Sequence, residues 1–185
     1  MNRLPIPTPE SAPTASQPLL AAVKQQLGKV PNLMKVLAHS PSGLSAYLGL
    51  SAASAAGALD GAQRERIALT VAEANACEYC LAAHTYLGTH VAKLGTAELD
   101  AARDGQSADP HIAALLRFAK AVVATRGRVD DRDLAAFFAA GYGPPEVVEV
   151  VANVALNVFT NYLNNIARTP VDFPPVAPRA AAVAA

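Results

Sequence analysis

The chain predicts an all-α fold, and three observations carry that expectation. Apolar residues recur at helical spacing from Leu19 to Ile166, no stretch alternates convincingly with a period of two, and helix-start residues (Ser, Asp and Pro) alternate with glycines that stop them. The 185 residues suit one domain, and a hydrophobic content of 52% is enough to fill its core. Aromatics make up only 5% of the chain, so the core is expected to form by close packing of helices through small side chains.

The elements follow in order. A short helix over Leu19–Leu27 stops at Gly28, and Pro31-Asn32 opens another reaching about His39. Ser40 caps the next, with Pro41 at its first position and Gly57 at its end. Asp60 and Gln63 have the spacing of a capping box, and their helix runs to about Asn75. Ala76-Cys77 interrupts the chain, and a helix from Glu78 to Leu94 follows. Thr96 is placed as the cap of a short helix to Arg103. Asp109-Pro110 opens a helix to Thr125, Asp130 caps one from Asp131 to Ala140, and Gly143-Pro144 opens the last, to Ala167. In that last helix Val147, Val151, Val154, Val158, Tyr162 and Ile166 make an apolar seam. Gly57-Ala58-Leu59-Asp60 is faintly echoed by Gly127-Arg128-Val129-Asp130, a weak trace of an internal duplication.

The organisation expected is an extended arm over 1–17 that lies on a neighbour, a helical domain over 18–168 whose chemical core is 60–95, and a Pro/Ala-rich, linker-like tail over 169–185. Fifteen basic and fifteen acidic residues balance, which gives no reason to invoke nucleic acid or an anionic membrane. No apolar run approaches the ~20 residues of a membrane span, and the first residues lack the apolar stretch of a secretion signal. The expectation is a cytoplasmic protein, where a reversible disulfide is more plausible than a structural one.

The only two cysteines stand at Cys77-Glu78-Tyr79-Cys80, with His84 four residues beyond the second. At a helix start, unpaired N–H groups and the positive end of the dipole favour a thiolate. The i, i+4 spacing puts the His84 imidazole on the face of Cys80, where it can share the proton. A histidine base benefits from a carboxylate that orients it, and both Glu65 and Glu73 on the preceding helix are candidates. A zinc site built from Cys77, Cys80, His84 and a glutamate is the metal alternative, weakened by the lack of a second CxxC or His pair. His39, His90 and His111 have no such partners and read as structural or surface groups. Asn153, Asn157 and Asn161, with Asn164 and Asn165 beyond, form a polar stripe on the last helix. It reads as facing solvent or a subunit interface, with a hydrogen-bond network near the site as the alternative.

The segment from Arg64 to His84, with its glutamate, its Asn-small-Cys-x-x-Cys and its histidine, resembles the core of the alkylhydroperoxidase D (AhpD)-like, carboxymuconolactone decarboxylase superfamily. Val30-Pro31-Asn32-Leu33-Met34 and Thr169-Pro170-Val171-Asp172-Phe173-Pro174 resemble its peroxidase-related branch, so the likeness spans roughly 18–176. The resemblance implies a helical fold assembled as a homotrimer or homohexamer. It implies an antioxidant peroxidase in which Cys80 attacks a hydroperoxide and Cys77, the more exposed thiol, resolves it. It further implies a Glu65–His84 proton relay. The spacing of the thiol pair calls for an external lipoyl- or thioredoxin-type dithiol as reductant, and no bound cofactor or metal is expected. Where well-studied members carry a further histidine before the second cysteine, this chain has Tyr79, expected as a pocket wall. Two other functions stay open: a lactone decarboxylase or hydrolase of the same superfold, and a non-enzymatic redox-sensing oligomer.

Overall fold

The computed structural model describes residues 2–179. Among them lie nine α-helices and no strand: α1 Gln17–Leu27, α2 Asn32–Leu37, α3 Pro41–Ala55, α4 Gly61–Ala74, α5 Glu78–His90, α6 Thr96–Arg103, α7 Pro110–Thr125, α8 Asp131–Ala139 and α9 Pro144–Ala167. A single 3-10 turn, Thr14–Ser16, precedes α1 and is the one element that the sequence did not announce.

Local chemistry sets most boundaries. Gly28 ends α1 in the left-handed conformation (φ 73°) that favours glycine. Ser40 Oγ accepts the Gly43 amide at 3.0 Å and starts α3. Asp60 and Gln63 form the reciprocal box that starts α4, at 2.7 and 2.9 Å. Asp109 and Asp130 cap α7 and α8 more simply, each accepting the amide two residues on, from His111 and Arg132, at 2.9 Å. Thr96 does not cap α6; Gly95 holds that position and Thr96 is already helical.

One helix is shorter than expected. α5 ends at His90 rather than at Leu94, and Lys93 turns left-handed (φ 58°). Gly88 explains the stop. A Cβ there would lie 2.5 Å from Leu99 Cδ2, so α6 crosses α5 at closest approach and the chain must turn to reach it. The Leu94 amide folds back on the Gly88 carbonyl at 2.9 Å.

α4 is the central helix, packed by α5, α6, α7 and α9. Six consecutive residues, Ile67 to Ala72, are buried, so it is enclosed on all sides rather than amphipathic. Thr70, polar within this core, donates to the Ala102 carbonyl at 2.6 Å. α9 follows the expected seam only in part, and Val147 and Val158 pack against the core. Val154 is buried, whereas Val151, Tyr162 and Ile166 are 46%, 54% and 61% exposed. The inward face is instead Val150, Asn153, Asn157, Thr160, Asn161, Asn164 and Ala167. The seam holds at Val147, Val154 and Val158 and fails at the other three because apolar residues line both faces of α9, and spacing alone does not say which one meets the core.

Both ends attach to this body. The arm bonds to its own chain, through the Arg3 amide to the Ala167 carbonyl (2.8 Å), His39 to the Pro5 carbonyl (2.7 Å) and Ser16 Oγ to the Ala38 carbonyl (2.8 Å). The tail from Thr169 to Arg179 is not a linker. Thr169 is buried, Val171, Phe173 and Val176 pack on the core, and Arg179 is paired with Asp100 and Asp104. Prolines exclude a helix there but not an ordered extended strap. The final alanine-rich stretch, 180–185, lies outside the described residues.

Candidate active site

The break between α4 and α5 brings the two cysteines together. Ala76 turns left-handed (φ 48°), and the Cys77 amide returns to the Ala72 carbonyl at 2.9 Å, closing the end of α4. Cys77 is then the N-cap of α5, its Sγ accepting the Cys80 amide at 3.3 Å. The Cys77 thiol donates to Cys80 Sγ across 2.6 Å, and both cysteines are free.

Charge settles on Cys80. Burial opposes its ionisation, but the Cys77 thiol, the His84 charge and the Asn164 amide lead the effects that outweigh it and lower it to about 7. Cys77 moves the other way: the hydrogen bond it gives to Cys80, its burial and the Cys80 charge all raise it well above the ordinary thiol range. The proton therefore stays on Cys77 and the nucleophilic charge on Cys80.

His84 lies one turn beyond Cys80 on α5, and its Nδ1 is 2.8 Å from Glu65 Oε2 on α4. A carboxylate only accepts, so Nδ1 carries the proton and Nε2 is the nitrogen left for exchange. Burial works against the imidazolium, but the Glu65 charge and hydrogen bond, then the Cys80 charge, raise the pKa of His84. Glu65 is thus the carboxylate that meets the imidazole. Glu73 is committed elsewhere, taking Arg103 at 2.7 Å on one oxygen and the Arg179 amide at 2.6 Å on the other. Among the described residues no three His, Cys, Asp or Glu side chains converge as a metal site.

Tyr79 is held at both sides of its hydroxyl. The O–H donates to Asp172 Oδ1 at 2.8 Å and accepts the Leu33 amide at 3.1 Å, while Asp172 Oδ2 takes the Asn32 amide at 3.0 Å. This latch ties the strap to α2 and α5, with Phe173 edge-on to the Tyr79 ring. Tyr79→Phe is expected to lower stability by about 1–3 kcal/mol, because it strands a buried amide and one carboxylate oxygen. Urea unfolding measures it, and an unchanged midpoint would show that the latch contributes nothing.

Two expectations are corrected here. Cys77 is not the more exposed thiol: it is fully buried, and Cys80 is 2% exposed. An N-cap sulfur that accepts an amide and faces its partner has to turn inward. The asparagine stripe does not face solvent: Asn153, Asn157, Asn161 and Asn164 are all at most 5% exposed. Asn164 Nδ2 donates to Cys80 Sγ at 3.3 Å, and Asn75 Nδ2 donates to Asn161 Oδ1 at 2.9 Å. Asn165 holds the Asn75 carbonyl at 2.9 Å, clamping the break from α9. The four-residue recurrence was visible in sequence, but not the direction in which it points.

Tyr47 of α3 is a site neighbour that the sequence did not reveal. Burial, then the negative charges of Glu65 and Cys80, push its hydroxyl up to about 12, so it stays neutral beside the thiolate. No local spacing links it to the motif. The other histidines stay outside the site: His39 and His111 bond backbone carbonyls, and His90 packs on Tyr86. A cleft of about 540 Å³ opens at the start of α5, lined by Glu78, Tyr79, Asn164, Arg168 and Pro170 among others. Asn164 belongs both to that cleft and to the Cys80 contact.

Residues 41–124 match the sequence profile of the carboxymuconolactone decarboxylase family. The fold is similar to that of the AhpD core of an uncharacterized peroxidase-related protein from Ralstonia eutropha JMP134, with 24% identity, 92% of each chain covered and a TM-score of 0.82. An uncharacterized peroxidase-related protein from Silicibacter sp. TM1040 has 20% identity and a TM-score of 0.75, over 95% of this chain and 92% of that one. The debrominase Bmp8, solved as a cysteine-to-alanine variant with 2,3,4-tribromopyrrole, has 21% identity and a TM-score of 0.76, over 93% of each chain. No match was found among curated proteins. Among the described residues no helix is long and apolar enough to cross a membrane. Residues 41–124 thus match the profile of the carboxymuconolactone decarboxylase family, and nearly the whole chain has the fold of AhpD-core proteins.

Proposed function

We propose that the protein is a thiol-dependent peroxidase that reduces organic hydroperoxides through a Cys80–Cys77 dithiol/disulfide cycle. The observation that carries this reading is the 2.6 Å contact between a sulfur held toward its thiolate and a second sulfur that keeps its proton. The Cys80 thiolate attacks the terminal oxygen of ROOH and the O–O bond breaks. The leaving alkoxide takes a proton from His84 and departs as an alcohol, and Cys80 becomes a sulfenic acid. Cys77 then attacks that sulfur, its proton leaves with the hydroxyl as water, and the disulfide forms. An external dithiol of lipoyl or thioredoxin type reduces the pair by exchange and is itself oxidised to a disulfide. Glu65 holds His84 in place and supports its charge. Glu73 serves the scaffold.

Thiol counting tests the cycle. One equivalent of an organic hydroperoxide should consume both thiols of the native protein, and a dihydrolipoyl-type reductant should restore them over many turnovers. Retention of both thiols with no peroxide consumed would refute the reading, and one oxidation per site without turnover would favour the redox-sensor alternative. A lactone decarboxylase or hydrolase would have no use for the paired thiols. The shared fold with a debrominase makes 2,3,4-tribromopyrrole a comparison substrate, since a thiolate can attack other polarised electrophiles.

The rate of the first oxidation should rise with pH through about 7, as Cys80 loses its proton. A lowered folded pKa leaves the thiolate populated above that point and removes it below. Stopped-flow oxidation across the neutral range reads the profile; a rise confined to the ordinary thiol range near ~8.5 would contradict it. The homotrimer or homohexamer that the family resemblance implies would cover the outward residues of α9, and sedimentation of the purified chain measures it.

A further inference from the structure

We infer that Asn161 and Asn164 form a two-amide cradle that holds the ionised sulfur of Cys80 from the α9 side. The inference rests on the proposed thiol chemistry of Cys80 and adds the group that sustains it independently of pH.

Four asparagines face inward on α9, and they spend their amides differently. Asn153 and Asn157 donate to carbonyls one turn back, Glu149 and Asn153, at 2.8 and 2.9 Å, and so only stabilise their own helix. Asn164 donates to Cys80 Sγ. Asn161 turns its oxygen to Asn75, which leaves its amino group facing away; that nitrogen is buried with no hydrogen-bond partner. A buried, unspent donor is costly unless some state of the protein uses it. Asn161 and Asn164 are three residues apart on the inward face of α9, which places the unspent Asn161 amino group on the face that meets Cys80.

The neighbour is a sulfur, which decides the direction of the effect. A neutral thiol accepts hydrogen bonds weakly, whereas a thiolate is an anion and accepts several strongly. N–H donors placed on one sulfur therefore favour its ionised form. Cys77, Tyr79 and His84 on its own element, Glu65 on α4 through His84, Tyr47 on α3 and Asp172 on the strap through Tyr79 are the titratable groups around it. Every donor in that set can lose its proton. The two amides cannot, so they are the fixed part of the stabilisation. Asn75 joins them to the turn that positions Cys77.

The side-chain amide resonances of Asn161 and Asn164 in the fully reduced native protein test this. Both should move downfield with the Cys80 titration and stay still in Cys80→Ser. Asn164→Leu and Asn161→Leu should each raise the midpoint of thiolate ultraviolet absorbance by about one pH unit. Amide signals that pass through the Cys80 midpoint unmoved, or a folded Asn164→Leu protein with the native midpoint, would overturn the cradle. Neither readout needs turnover. A cradle found without peroxide consumption refutes the peroxidase reading alone, and peroxide consumption with unmoved amides refutes the cradle alone.

Discussion

Replacing Cys80 by serine should bring hydroperoxide turnover down to the uncatalysed background. The substitution keeps the shape of the side chain and removes the one group that the site is arranged to ionise. A serine hydroxyl beside the same His84 remains protonated and does not attack a peroxide bond. Cys77→Ser should behave differently: Cys80 would still be oxidised once, to a sulfenic acid trappable by a dimedone-type reagent, and the cycle would then stop. His84→Gln, which keeps a polar side chain but cannot carry the proton, should cost about 10²–10³-fold in rate. Full activity of Cys80→Ser with a dihydrolipoyl-type reductant would end the assignment of Cys80 as nucleophile.

Phe137→Ala should be the most destabilising of the simple truncations, by about 3–5 kcal/mol. The chain has five phenylalanines and five tyrosines, and three of these ten rings stack in one place. Phe137 on α8 is 1% exposed and lies between Phe118 of α7, 4.4 Å between ring centroids, and Tyr142, 4.5 Å and nearly parallel. Elsewhere the core is mostly alanine, leucine and valine and has little bulk to refill such a space. Thermal unfolding should show Tm lowered by roughly 10 °C or more. A shift of only a degree or two would mean that α8 closes onto α7 without the ring.

The sequence disclosed what depends on neighbours in the chain. Gly28, Ser40, Asp60 with Gln63, Asp109 and Asp130 each mark a helix boundary through contacts a few residues long, and those boundaries appear in the structure. The Cys77–Cys80–His84 spacing likewise placed a sulfur at an N-cap and an imidazole one turn along its helix. What depends on distant partners stayed hidden. Nothing near Leu94 says that α6 must cross at Gly88, so α5 looked longer than it is. Nothing in α9 says which of its faces is covered, so the sequence leaves the asparagines between an outward stripe and a network at the site, and the structure shows the second. The choice between Glu65 and Glu73 depended on Arg103 and Arg179, thirty residues and more away. Tyr47 and the strap from Thr169 belong to the same class: their roles exist only once separate segments meet.

The full burial of Cys77 bears on how the protein would be recharged. A small oxidant needs only a narrow passage, but a dithiol donor must bring its own sulfur into line with a disulfide that has no surface. The oxidised form would therefore be long-lived, waiting for the start of α5 and the strap beside it to part. At high donor concentration the catalytic cycle would run at the frequency of that parting, the same for every donor, so that breathing of the fold, rather than affinity for the donor, would set the ceiling on throughput.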